Sequence, residues 1–331
     1  MKLPLSFDNR IFLRLLIPGT FVSLGLLPGV MGLLRLFDID ADIVVVLPFL
    51  ILTVGWFLTL LDMPIYMFLE GRRYWPRRAR ENGLAIQKKR LKDWLDKASE
   101  LENAGDELGA LEFKLRAQRY PLGNAKYPPE SGEVSAMVPT ELGNVIYGFE
   151  TYPKVKYGVD GVFFWERIWF GLDPEMRKNL DEHQAQCDSA VYACFGSILN
   201  TVLFTFYGLL ENIWGIELMS STFRIEGYLA ATGFLVLSRL FYVAAIHVNY
   251  QFGERIKAMF DVSLDKLGID AALAVIEHRT GVHYRTDRFY PHNVMAAWRF
   301  LRWHKFKPTP DAKSVNIEEY VSQRNDDPGA P

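Results

Sequence analysis

From Asp173 to Leu267 the chain arranges charge and apolarity in mirrored order. A charged stretch leads into the apolar run Ala190 to Leu210, the turn GIELMSSTFRIE follows, and a second apolar run to Ile246 passes into GERIKAMFDVSLDKL. After Pro174 no proline interrupts this stretch. A helix from Pro174 to Trp214 would be about 60 Å long, roughly twice a bilayer core. Its apolar half therefore suits a membrane and its charged half must continue beyond it. Asp173 is placed to cap this helix, Pro174 suits its first turn, and Glu175 favours the positive end of its dipole. A return helix from Ile225 to Leu267 completes a long hairpin.

Two further apolar runs precede it, Leu15 to Leu34 and Ile43 to Leu61. The first is read as a span rather than a signal peptide, because no small-x-small cleavage site follows before FDIDAD. Its Gly25 and Gly29 form a small-xxx-small pair suited to close helix approach. The second matches the thickness of a bilayer core at about 1.5 Å per residue. Its apolar character carries on to Leu69, with Pro64 expected to bend the extension, and then becomes GRRYWPRRAR. Arginines among aromatics at the end of a span mark the face toward anionic lipid, so Arg72, Arg73, Arg77 and Arg78 are predicted at the lipid interface. Basic residues follow spans two and four and are nearly lacking from the two short turns on the other side. Four spans with both termini cytoplasmic satisfy the positive-inside rule at every loop.

Half of the 331 residues are apolar and the mean hydropathy is near zero, which fits membrane spans mixed with polar segments. Between spans two and three, apolar positions Ile86, Leu91, Trp94, Leu95, Ala98 and Leu101 recur at helical spacing, and a second helix is predicted from Leu108 to Arg119. The loop YPLGNAKYPPESGE separates them from an aromatic region. There one helix is expected to open at Pro139 or Thr140 and another to cover Val159 to Phe170. The predicted fold class is thus all-α: a polytopic membrane protein with four transmembrane helices, two of them extending into a cytoplasmic helical domain. The expected divisions are 1–70 for spans one and two, 71–172 for the cytoplasmic helices and 173–267 for the hairpin. Cytoplasmic C-terminal helices over 268–310 and a disordered tail over 311–331 complete the chain.

Within the aromatic region, Pro139, Thr140, Leu142, Gly143 and Asn144 spell PT-x-LGN. Tyr152, Pro153, Lys156, Tyr157, Gly158, Asp160, Trp165 and Arg167 follow it. This pattern resembles a family of uncharacterised bacterial multi-span membrane proteins. The resemblance implies the bacterial inner membrane and no particular activity.

Chemistry has few candidates. Arg239 interrupts the fourth span, and Asp62, at the end of the second, is the partner expected from depth. Ser197, Thr201, Thr205, Gly208 and Asn212 fall on one face of the third span, with Asn200 and Glu211 flanking it. Such a face serves helix packing or lines a pore, and Glu211 near the outer mouth would form a charged ring in an oligomer. HNVMAAWRFLRWHKFK interleaves basic and aromatic residues, with Trp298 and Arg302 predicted at the lipid interface. A net charge of -2 gives no general attraction to nucleic acid. Cys187 and Cys194 are too few for a disulfide framework, and the histidines are not at zinc-site spacing. No nucleophile elbow, phosphate loop or dinucleotide fingerprint is present, so neither an enzyme nor a cofactor is predicted. The expected partners are the lipid bilayer, further copies of the chain and a cytoplasmic protein. The expected function is an oligomeric channel or membrane effector gated by its cytoplasmic domain; the alternative is a membrane-anchored scaffold or sensor without transport.

Overall fold

The structure, a computed structural model, describes residues 11–121, 137–157, 161–214, 223–263 and 269–280. Among these residues the regular structure is helical throughout, with no strand. The helices are α1 (Ile17–Leu36), α2 (Ile43–Leu60), α3 (Asp62–Leu69), α4 (Arg77–Asn103) and α5 (Glu107–Gln118). They continue with α6 (Glu141–Tyr157), α7 (Gly161–Gly171), α8 (Pro174–Trp214), α9 (Phe223–Ser263) and α10 (Ile269–Thr280). Four segments are long and apolar enough to cross a membrane: Phe12–Leu36, Ile43–Leu60, Pro174–Leu210 and Glu226–Ser263.

Local chemistry explains the boundaries. Asp42, Asp106 and Asp173 each accept a hydrogen bond from a backbone N–H two or three residues on, at 2.9 Å in all three cases. They thereby satisfy a donor that has no partner inside the helix. Gly105 closes α4 in the left-handed region at φ +79°, which glycine adopts without steric cost. A π-helical turn, Phe12–Leu16, precedes α1. Pro18 lacks the N–H that would bond the Arg14 carbonyl and crowds it, which favours this wider turn. The second span breaks at Leu61, and Pro64 sits in the first turn of α3 rather than at the break itself.

Two long helices stand where the sequence places the arms of the hairpin. α8 and α9 are each 41 residues long, and the 215–222 turn lies outside the described residues. The chain falls into two compact units, Met1–Tyr152 with Gly171–Asp261, and Pro153–Phe170 with Val262–Pro331. In the first, one apolar core joins Val22 of α1, Val54 and Leu58 of α2, Ile65 and Leu69 of α3, Val191 and Tyr192 of α8, and Ala245 and Ile246 of α9. Leu142, Val145 and Ile146 of α6 enter the same core. In the second unit Trp165 lies 5.7 Å from Trp169, ring centre to ring centre, and Phe164, Ile168 and Ile276 are buried.

Glycines set the closest crossings. A Cβ at Gly19 would collide with the Ile51 carbonyl, and one at Gly55 with the Leu15 carbonyl, so α1 and α2 approach backbone to backbone. Gly25 and Gly29 serve the contact with α8. The Asn200 side chain occupies the space a Cβ at Gly25 would need, and the Tyr207 hydroxyl lies 2.8 Å from a Cβ placed at Gly29.

Candidate functional site

The densest buried polar chemistry lies where α1, α3 and α8 meet. Arg14 projects from the π-turn and donates from Nε to Asp188 Oδ2 at 2.7 Å and from Nη1 to Asp181 Oδ1 at 3.3 Å. The Tyr66 hydroxyl donates to the other Asp188 oxygen at 2.8 Å. One turn along α8, the Tyr192 hydroxyl donates to Asp62 Oδ1 at 2.7 Å. Asp188, with a side chain only 7% exposed, thus receives a guanidinium on one oxygen and a phenol on the other. Such double satisfaction is what a buried carboxylate requires. Burial and the Asp188 charge push the Tyr66 phenol well above its ordinary range, which keeps it a donor.

A second charged cluster lies ten residues after the second span. The Glu70 carboxylate is 5% exposed and contacts Arg72 Nε at 2.5 Å without the alignment of a hydrogen bond. Arg72 Nη2 donates to Glu150 Oε2 of α6 at 2.7 Å, and its guanidinium carbon stands 5.1 Å from the Tyr147 ring centre. Burial, opposed by Arg72 and reinforced by Glu150, pushes the Glu70 carboxyl up to about 7. Gly71 carries the intervening turn in the left-handed region at φ +72°.

The PT-x-LGN residues build the seat of α6. The Gly143 N–H donates to Thr140 Oγ1 at 3.0 Å. Asn144, fully buried, accepts from the Val138 N–H at 3.0 Å and donates to the carbonyls of Val138 and Thr140 at 2.8 and 2.7 Å. Pro139 fills the space beside Gly71 and Gly83 that side chains there would need. The Leu142 N–H donates to the Tyr242 hydroxyl of α9 at 3.3 Å, and Arg90 reaches Glu141 at 2.5 Å.

The residues expected at a pore or polar path take other partners. Ser197, Thr201 and Thr205 each donate to the carbonyl four residues earlier in their own helix, at 2.8, 2.9 and 2.7 Å. Asn200 donates to the Phe21 carbonyl at 2.6 Å, clasping α8 to α1. Asp62 is bonded by Tyr192, and among the described residues no ion pair joins it to Arg239. Arg239 is exposed on α9, with its guanidinium carbon 5.8 Å from the Tyr242 ring centre. Glu211 belongs to α8, and its side chain lies outside the described residues. Of the arginines expected at the lipid interface, Arg73, Arg77 and Arg78 are exposed and Arg77 pairs with Glu81 at 2.7 Å, whereas Arg72 turns inward to its two glutamates. Trp298 and Arg302 lie outside the described residues.

Sequence reasoning passed over Arg14, Asp188, Tyr66, Glu70 and Glu150. Arg14 passes for a flanking charge, and Asp188 for the last acid of a polar segment. Their spacing along the chain, 174 residues, carries no local signal. Among the described residues no group of three or more histidine, cysteine or acidic side chains is arranged to hold a metal ion. No protein-family model matches the chain, and neither the curated proteins nor the solved structures contain a match.

Proposed function

We propose that this chain is a membrane-anchored scaffold or sensor of the bacterial inner membrane. Both termini and the helices α4 to α7 lie on the cytoplasmic side, where they present a surface to a protein partner. The observation that carries this reading is the use made of polar side chains in the spans. Ser197, Thr201 and Thr205 turn back onto their own helix, Asn200 clasps α1, and Asp188 and Asp62 are each bonded by neighbouring helices. Groups so occupied hold helices together rather than face a solute. The core shared by α6 and the spans also suits a protein that displays a rigidly held surface.

A second reading, an oligomeric channel or effector, is favoured by one observation. The faces of α2 and α9 that carry Phe49, Trp56, Leu235, Val236 and Leu240 are exposed, and Arg239 stands among them on α9. Further copies packed there would cover a charge that is costly in lipid. Conductance recordings on protein in liposomes separate the two. A silent membrane under every voltage applied accords with the scaffold, and reproducible unitary currents overturn it.

The topology has its own test. Cys187 and Cys194 are buried, so the natural chain offers a weak background to a membrane-impermeant maleimide. A cysteine at Asp40 should label in intact spheroplasts, and one at Lys97 only after permeabilisation. The reverse pattern would place the helices after span two outside the cell.

A further inference from the structure

We propose that Glu70, Arg72 and Glu150 form a proton-operated latch that holds α6 in its seat when Glu70 is protonated and loosens it when Glu70 ionises. Two carboxylates from different elements share one guanidinium. Arg72 lies on the turn after α3, where it touches Glu70 at 2.5 Å, and it reaches Glu150 of α6 at 2.7 Å. With Glu70 neutral, the single positive charge is balanced by Glu150 alone and its Nη2 hydrogen bond is undisputed. With Glu70 ionised, the cluster carries an excess negative charge in a site where Glu70 is nearly sealed from water. The two carboxylates then repel each other and compete for the same guanidinium.

Among the described residues the charges acting on Glu70 are Arg72 from its own turn and Glu150 from α6. Tyr147 of α6 lies against Arg72, and the Pro139–Thr140 turn beside Gly71 adds no charge. At the other end of α3 the acid facing inward from α8 is Asp188, which bonds Tyr66 rather than Glu70. The Glu70 carbonyl lies 2.7 Å from where a Cβ at Gly143 would stand, so the backbone that carries the titrating group is the one on which α6 is seated.

The sign of the effect follows from the direction of the shift. The folded state holds the Glu70 proton up to about pH 7, whereas an unfolded glutamate releases it at about pH 4.5. The stabilisation is complete below the lower value, declines as the pH rises between the two and is lost above the higher. It is therefore alkaline pH that loosens the latch.

Hydrogen exchange read by mass spectrometry on the full chain in nanodiscs tests this, with rates corrected for the intrinsic effect of pH. From pH ~5.5 to ~8.5, protection of the α6 amides from Val145 to Glu150 should fall about tenfold in the natural protein. In Glu70→Gln, which mimics the protonated form, it should change less than about twofold. An equal fall in Glu70→Gln, or no fall in the natural protein, overturns the latch. Should Glu70→Gln fail to fold, Glu150→Gln serves instead. Removal of the repelling carboxylate should move the midpoint of the loosening to lower pH, and an unmoved midpoint overturns the proposal.

Discussion

Asp188 is the residue on which the arrangement of α1, α3 and α8 depends most. Its carboxylate is satisfied by Arg14 and Tyr66 together, and among the described residues Arg14 has no second strong partner beyond the longer contact to Asp181. Removal of one member of a buried ion pair costs about 3–5 kcal/mol, because the other is left uncompensated. Arg14 keeps 28% of its side-chain exposure, so the lower end applies. Asp188→Asn should destabilise by about 3 kcal/mol in a thermal unfolding series in detergent. Replacing both Arg14 and Asp188 by Met should recover most of that loss. A double variant as unstable as the single one would show that the ionic contact itself, and not its burial, holds the helices. Arg239 behaves differently despite its conspicuous place in the sequence. Its position within an apolar run signals burial, yet the run forms one side of a helix whose opposite face makes the core, and Arg239 lies on the outer side.

At the scale of elements, helix crossings and helix ends were legible to different degrees. Gly25 and Gly29 mark a close approach in the sequence, and the structure seats them on Asn200 and Tyr207 of α8. Nothing local distinguishes Gly55, which meets the Leu15 carbonyl, from Gly233, which has open space around it. Gly55→Ala should therefore destabilise by about 1–3 kcal/mol, since neither backbone can move aside cheaply. Gly233→Ala should be neutral or slightly stabilising through its helix propensity. Thermal midpoints of the two variants in one detergent make the comparison, and equal losses would mean that the α1–α2 crossing is not as close as described. Asn144 governs the start of α6 in the same way. Asn144→Ala strands the N–H and the carbonyl of Val138, at about 1–3 kcal/mol for each buried group left unpaired, while the Thr140 carbonyl keeps its 3.1 Å bond from the backbone N–H of residue 144. Limited proteolysis should then cut near Val138 at least several-fold faster than in the natural chain, and an unchanged rate would show that the turn holds without it.

At the scale of the whole molecule, the first unit joins the four helices long and apolar enough to cross a membrane with α3 and α6 in one core. The sequence predicts a cytoplasmic helical domain over 71–172, held around the extensions of the two long helices. In the structure Leu142, Val145 and Ile146 of α6 pack with Val191 and Ile246 of the long helices. Phe149 of α6 stacks edge to face with Phe252 at 6.0 Å, and the Tyr152 hydroxyl reaches Asp261 at 2.9 Å. The long hairpin thus supports α6 along much of the part that continues past its apolar run. Loosening α6, as the Glu70 latch would, alters a surface anchored directly to the spans.

Hydropathy and helix-end chemistry by themselves determined the four apolar helices, the long helix from Pro174 to Trp214 and the cap at Asp173. These three depend on residues within one or two turns of each other, or on the mean polarity of a run, and a linear string records both. Partner choice among polar side chains was decided only by tertiary structure. Arg14 and Asp188 stand 174 positions apart, and Tyr192 and Asp62 stand 130 apart. Arg72 has the same local sequence context as Arg73, yet one is locked between two glutamates and the other is exposed. A side chain's charge is written in the sequence, but which opposite charge it meets depends on how the helices cross. Those crossings depend in part on close approaches at Gly19 and Gly55 that become visible only when the helices are assembled.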